Sequence, residues 1–313
     1  MNGELVINVE GLTKKFSGRT VVDNFDLQVP KGAIYGFLGP NGSGKTTTIR
    51  MVCGLLKPDG GSGTCLGFDV INDSTAIKAR VGYMTQRFSL YEDLSIRENL
   101  EFVARLYELD NLKSRVDASL ASLGLSDRAK QLAGTLSGGW KQRLALAACM
   151  IHEPKLLLLD EPTAGVDPKA RRDFWDAIRE YARQGVTTLV STHYMDEAVQ
   201  CDRIAFIAYG KKLIDEKTAD IPAEVGLHAV KIEASDLEEA HKRLLQAKGL
   251  DVIARFGAAI HAAARDKEAL MRAVASLDGV PGLETEEVEA GLEEAFIYLM
   301  AGTADNFANG AAA

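Results

Sequence analysis

Apolar residues along the chain fall into short blocks of strand length, separated by polar turns and by longer stretches of helical period. Residues 5–9 alternate and read as an edge strand. Residues 11–19 are polar and turn-rich with Phe16 in their middle, and residues 21–29 alternate again up to the turn Pro30-Lys31-Gly32. Residues 33–38 form a continuous apolar run, and residues 46–53 behind it read as a helix stopped by Gly54. Short strands follow at 64–66 and 81–84. Four consecutive leucines, Leu156 to Leu159, have the pattern of a strand buried on both faces. Residues 186–191 are a further buried strand, residues 194–200 read as a helix, and 203–209 as a strand.

From about Arg87 to Met150 the period changes to that of helices. Ser95-Ile96-Arg97-Glu98 is a capping box, and the helix behind it places Ile96, Leu100, Val103 and Leu106 or Tyr107 on one face. Residues 116–123 make another helical face, closed by Gly124. Further on, Asp167-Pro168 opens a helix with an acidic cap and proline in its first turn, and Gly185 ends it. A boundary falls around 220–226. The remainder runs strand (229–233), helix (237–247), strand (251–255), strand (259–263), helix (267–276), strand (284–288), the order of a split βαβ, ferredoxin-like unit. A last helix spans 292–300. The pattern predicts an α/β chain with a domain over 1–221, a helical subdomain over 87–150 inside it, an accessory α/β domain over 222–301, and a disordered tail over 302–313.

Bulk properties narrow the class. A length of 313 residues suits about two domains, and 46% hydrophobic with 26% charged residues is ordinary for a globular chain. A net charge of −8 argues against gripping nucleic acid over a wide surface, so none is expected as a partner. No apolar run is long enough to span a bilayer, and Met1-Asn2-Gly3-Glu4 does not open a secretory signal. The expected place is the cytoplasm, with any membrane contact made through a partner. Cys53, Cys65, Cys149 and Cys201 are scattered without a metal-binding or redox spacing, and the five histidines form no ligand cluster.

The chemistry centres on Gly39-Pro40-Asn41-Gly42-Ser43-Gly44-Lys45-Thr46-Thr47, which fits Gly-x-x-x-x-Gly-Lys-Ser/Thr between a strand and a helix. Glycines let consecutive N–H groups face an anion, and the helix N-terminus adds partial positive charge. Lys45 would reach the terminal phosphates of a nucleotide and the Thr46 hydroxyl would ligate Mg²⁺. The leucine strand ends in Asp160-Glu161. Asp160 suits a magnesium ion held through water, and Glu161 suits a base that orients and deprotonates an attacking water. In Leu136-Ser137-Gly138-Gly139-Trp140-Lys141-Gln142-Arg143, Ser137 and the two glycines form a second helix N-terminus open to an anion.

With this last stretch between a phosphate loop and an Asp-Glu strand end, the chain resembles the ATP-binding cassette family over most of residues 4–217. The resemblance implies a P-loop nucleotide-triphosphatase cassette, with a mixed sheet core and an inserted helical subdomain. It implies Gln86 as the glutamine that touches Mg²⁺ and the attacking water and faces the transport partner, and His193 as a contact of the γ-phosphate. Asp167, in Ala164-Gly165-Val166-Asp167, implies the loop that crosses between subunits, and Phe16 an adenine-stacking ring. Trp140 stands where the family usually has glutamine, and its flat face is expected at the dimer seam or beside the bound sugar. The implied assembly is a homodimer closing head to tail on two ATP molecules. Each site then joins Phe16, residues 39–47, Gln86, Asp160, Glu161 and His193 of one copy to Ser137, Gly138 and Gly139 of the other. The appended unit, ending in Gly291-Leu292-Glu293-Glu294-Ala295-Phe296-Ile297, resembles ATPase subunits of bacterial drug and antibiotic exporters. The implied function is ATP hydrolysis driving a separate integral-membrane permease from the inner face of the membrane. A soluble cassette acting on ribosomes or nucleic acid is the alternative; it usually carries two cassettes or a long coiled coil, and neither is visible here. A binder that holds ATP without hydrolysing it is disfavoured by Glu161 and His193.

Overall fold

The computed structural model describes residues 4–302. The tail expected from residue 302 onward lies outside the described residues, apart from Gly302. The chain divides into two compact units, one up to Asp215 and one from Glu216 on.

In chain order the strands of the first unit are β1 (Leu5–Phe16), β2 (Arg19–Pro30), β3 (Ile34–Leu38), β4 (Gly60–Cys65), β5 (Phe68–Asp69), β6 (Val81–Met84), β7 (Leu156–Asp160), β8 (Thr187–Thr192), β9 (Arg203–Ala208) and β10 (Lys211–Lys217). Its helices are α1 (Lys45–Val52), α2 (Ser74–Lys78), α3 (Ile96–Leu106), α4 (Leu112–Ser122), α5 (Gly138–Met150), α6 (Pro168–Arg183) and α7 (Met195–Ala198). A six-stranded sheet runs β10-β9-β3-β8-β7-β6, with β3 parallel to β8 and β9, and β7 parallel to β6 and β8. Both β3 and β7 are buried along their whole length, which is why they read as unbroken apolar runs. Each of Leu156 to Leu159 is fully buried, worth about 1.5–3 kcal/mol per side chain. A second, antiparallel sheet runs β2-β1-β4-β5. One core joins the two sheets through α1: Ile7, Leu27, Phe37, Ile49, Met51 and Leu158 all belong to it.

Three sequence expectations change. First, β1 is an inner strand of its sheet, paired with β2 on one side and β4 on the other, and it continues to Phe16 through the stretch expected to be a turn. Its register shifts between Val9 and Leu12, and that bulge breaks the alternation by which a strand is recognised. The true turn is Ser17-Gly18, both at positive φ, the two-residue form that suits a hairpin. Second, the capping box closes as expected, Ser95 N donating to Glu98 Oε2 at 2.8 Å and Glu98 N to Ser95 Oγ at 3.2 Å, but the buried stripe of α3 is rotated from the one expected. Ile96 and Leu100 are buried as read and Val103 and Tyr107 are half-buried, while Asn99 and Ala104 join the buried stripe and Leu106 is 69% exposed. Asn99 holds its buried place because Nδ2 donates to the carbonyls of Tyr91 and Ser95, and Oδ1 accepts from Tyr91 N. Third, β10 has no apolar pattern to announce it. It follows β9 through Tyr209-Gly210, again a pair at positive φ.

The second unit contains α8 (Ile221–Val225), β11 (His228–Glu233), α9 (Leu237–Gln246), β12 (Val252–Phe256), β13 (Ala259–Ala264), α10 (Lys267–Ala275), β14 (Glu284–Glu289) and α11 (Leu292–Ala301). Its sheet is antiparallel in the order β12-β13-β11-β14, and two helices cross between strands. That is the ferredoxin-like arrangement expected from the element order. Val230, Ile232, Leu244, Ile260 and Leu270 form its core. Among the described residues no helix is long and apolar enough to cross a membrane.

Candidate functional site

The phosphate-type loop leaves the buried end of β3 and enters α1. Its path demands glycine at position 39, where a Cβ would lie 2.1 Å from the Ile207 carbonyl oxygen of β9. Lys45 is buried, and its Nζ donates to Gly39 O at 2.7 Å and Pro40 O at 3.0 Å. Burial holds its ammonium below the ordinary value, against the pull of Glu161 and Asp160. Ser43 Oγ is buried in the same cradle without a hydrogen-bond partner. The loop lines a cleft of about 300 Å³ with Val21, Asn41 to Thr47, Gln86 and Glu161. An orphaned hydroxyl, a buried cation and a helix N-terminus in one cleft fit an oxyanion.

The carboxylates arrive from the next strands. Asp160, the last residue of β7, accepts from Thr46 Oγ1 at 3.0 Å and from Ser191 Oγ of β8 at 2.7 Å. Glu161 has φ of +48°, uncommon for a residue with a side chain. Its N–H is held by Ser191 O and Oγ, each at 3.1 Å. Its carboxylate is 9% exposed and sits among three polar groups. Gln86 Nε2 donates to Oε2 at 2.9 Å, Lys45 Nζ lies 3.6 Å from Oε1, and His193 Nδ1 lies 3.3 Å from Oε2 without hydrogen-bond geometry. Thus Lys45, Thr46, Gln86, Asp160, Glu161 and His193 meet at one place, with Thr46 and Asp160 in direct contact across 114 residues of sequence.

The Thr46 hydroxyl and the Asp160 carboxylate suit a hard cation such as Mg²⁺. Among the described residues no group of three or more His, Cys, Asp or Glu could hold a metal by itself. An ion of this kind usually keeps several waters and takes one or two protein carboxylates.

The remaining expected residues lie elsewhere. Phe16 stands at the tip of the β1–β2 hairpin, 46% exposed, with Lys14 Nζ 5.7 Å from its ring centre. Ser137 precedes α5 without a side-chain capping bond, and Ser137 and Gly138 are exposed. Gly139 packs closely on α6, where an added Cβ would lie 2.4 Å from Ala170 Cβ. Asp167 caps α6, its Oδ1 accepting from Lys169 N at 3.1 Å and Ala170 N at 3.0 Å. Trp140 makes cation–π contacts within its own chain with two guanidiniums, Arg128 at 4.5 Å and Arg143 at 5.0 Å from the ring centre. Arg143 in turn pairs with Asp173 of α6 at 2.7 Å.

Sequence reading passed over Ser191, which touches both Asp160 and Glu161. The available signal was a run of hydroxyls in a strand with no exposed face: Thr187, Thr188, Ser191 and Thr192 are all fully buried. A larger cleft, about 400 Å³, occurs in the second unit against Leu227, Val230 and Leu270, rimmed by the Lys267–Glu287 ion pair, and it carries no comparable constellation.

Residues 22–164 match the protein family described as ABC transporter. The chain is 43% identical over 224 residues to the probable multidrug ABC transporter ATP-binding protein YbhF of Escherichia coli (strain K12), covering 71% of this chain and 39% of that one. It is 37% identical over 310 residues to the daunorubicin/doxorubicin resistance ATP-binding protein DrrA of Streptomyces peucetius, covering 96% and 94%. Among solved structures, an ATP-binding subunit of an ABC transporter superposes with a TM-score of 0.64 at 26% identity, covering 71% of this chain and 93% of that one.

Proposed function

The chain belongs to the ABC transporter family as an ATP-binding subunit, and from that membership we propose that it hydrolyses ATP to drive a separate membrane-spanning permease of the drug-export kind. The observation that carries the reading is the Glu161 carboxylate, held 2.9 Å from Gln86, 3.3 Å from His193 and 3.6 Å from Lys45 at the mouth of the phosphate loop. A base must lie within reach of water and beside groups that neutralise charge on the phosphoryl group in flight. Glu161 takes the proton of the attacking water. Lys45 and the loop N–H groups carry the charge that develops on the terminal phosphate, His193 faces the same oxygens, and Gln86 orients the water. Bound Mg²⁺, held by Thr46 and Asp160, would supply charge neutralisation between the phosphates.

Ser137 to Gly139 lie away from this cleft, which supports completion of each site by those residues of a second copy. Phe16, exposed at its hairpin tip, is free to stack on adenine. Binding that closes the dimer and hydrolysis that reopens it would give the permease two states to follow. Near Gln86, Tyr83, Leu90, Val103, Leu106 and Tyr107 line a mostly apolar cleft, and Tyr91 and Phe102 are exposed large apolar side chains on the neighbouring residues. An apolar patch of this kind suits a protein partner, here the permease on the inner face of the membrane. The drug-export assignment rests on relatives named for multidrug transport and for daunorubicin/doxorubicin resistance. The unit from about residue 222 to 301 is read as an accessory domain that assists dimerisation or pairing with the permease.

The test is Glu161→Gln in the full chain. ATP affinity is retained, and turnover falls by about 10²–10⁴-fold, the usual contribution of a general base. Near-wild-type turnover removes Glu161 from that role. A wild-type chain that binds no ATP overturns the reading as a whole.

A further inference from the structure

The last ladder pair between β7 and β8 joins Asp160 to Ser191. Beyond it, one strand continues as Glu161-Pro162-Thr163 and the other as Thr192-His193-Tyr194. Thr192 is still paired with Leu38 of β3 on its other side, so Glu161 and His193 each stand one residue past the end of their strand, where no β7–β8 ladder pair sets their spacing. The only backbone tie there among the described residues is Glu161 N to Ser191 O. Two segments leaving a sheet would drift apart unless something else joined them.

Glu197 of α7 does so. It is 1% exposed, and Thr163 and Thr192 are fully buried. One carboxylate oxygen accepts from Thr163 Oγ1; the other accepts from Thr192 Oγ1 at 2.6 Å. Arg171 Nε, from α6, lies 3.6 Å from the first oxygen, and the same guanidinium pairs with Asp196 at 2.6 Å. Thr192 Oγ1 also accepts from Tyr194 N at 3.0 Å, fixing the backbone on the far side of His193. Burial pushes the Glu197 carboxyl up, against the pull of the two hydroxyls and of Arg171. A buried carboxylate is costly unless it is fully hydrogen-bonded, and a plain packing role could be filled by an apolar residue of similar volume.

We propose that Glu197 is a positioning residue: with one oxygen bound to each strand end, it sets the separation of Glu161 and His193 and so the geometry around the terminal phosphate. This rests on the ATP-hydrolysis reading of Glu161. Glu197 touches neither nucleotide nor water in this role.

The test uses the full chain with Glu197→Gln, and Glu161→Gln as reference. Glutamine keeps the volume but offers one acceptor where two are needed. The first readout is the NMR signal of the His193 ring, identified by its loss in His193→Gln; it needs no turnover. The second is ATP affinity against kcat. Glu197→Gln is expected to shift the His193 signal, to lower kcat about tenfold or more, and to leave ATP affinity within about threefold. In a Glu161→Gln background it should lower kcat little further, because both changes act on one group. An unmoved His193 signal overturns the proposal, as does a parallel fall of kcat, ATP affinity and thermal midpoint. If wild type shows no turnover, the ATPase reading fails by itself and the NMR result still decides the positioning role. Should Glu197→Gln not fold, Thr192→Val cuts one tie at near-constant volume and carries the same expectations.

Discussion

Trp140→Gln separates packing from chemistry at the start of α5. The Trp140 ring contacts the guanidiniums of Arg128 and Arg143, at 4.5 and 5.0 Å from its centre. At a partly exposed site each such contact is worth about 0.5–1 kcal/mol, so losing both costs about 1–2 kcal/mol. The two arginines respond differently. Arg143 stays held by Asp173 at 2.7 Å and by the Leu123 carbonyl at 3.2 Å, whereas Arg128 is left with its bond to Gln131 Oε1 at 3.0 Å, three residues along its own segment. Most of the loss should therefore appear as slackening of the Arg128 segment against α5. For a unit of roughly 200 residues, the thermal midpoint should drop by about 2–8 °C. Far-UV circular dichroism measures it without relying on indole fluorescence, which the substitution itself alters. Steady-state ATPase should change by less than about tenfold, under roughly 1.4 kcal/mol. The cycle with Arg128→Ala should return a coupling of about 0.5–1 kcal/mol. The reasoning is refuted by the opposite pattern, a loss of turnover beyond a hundredfold with an unchanged midpoint. That result would place the indole on the nucleotide rather than against the arginines.

Two further outcomes follow from the structure. Burial holds the His152 imidazole, stacked 3.8 Å from the Tyr107 ring, below its ordinary value. The unfolded chain thus takes up a proton first as pH drops below about 6.5, so stability is lost as pH falls from there through the folded value. His152→Phe keeps the stack and should flatten the fall in urea midpoint between pH 7 and 5.5; an unaltered slope assigns the effect to other groups. A chain ending at Ile221 retains the phosphate loop, Gln86, Asp160, Glu161 and His193, and should bind ATP with unchanged affinity by titration calorimetry. A folded truncation that fails to bind would move the domain boundary.

Features that depend on neighbours in sequence were readable from the residues alone. The glycines and Lys45 of the phosphate loop, the Ser95–Glu98 box, the Asp167 cap and the leucines of β7 each express a local rule of backbone geometry, capping or burial, and the structure contains all four as read. The same locality made the βαββαβ order of the second unit legible. Where the local signal was absent or misleading, packing decided. Asn99 occupies a core position that the apolar period assigned elsewhere, because its amide answers the backbone of residues 91 and 95. Strand β1 runs on through a bulge, and β10 forms without any apolar alternation. At the site, residue types announced a nucleotide, but the meeting of Gln86 with Glu161 across 75 positions, and of Thr46 with Asp160 across 114, exists only once parallel strands bring their ends together. Ser191 and Glu197 drew no attention as letters, since a serine in a strand and a glutamate in a short helix are commonplace. Their weight comes from burial, which removes water as a partner and obliges each polar atom to find another in the protein.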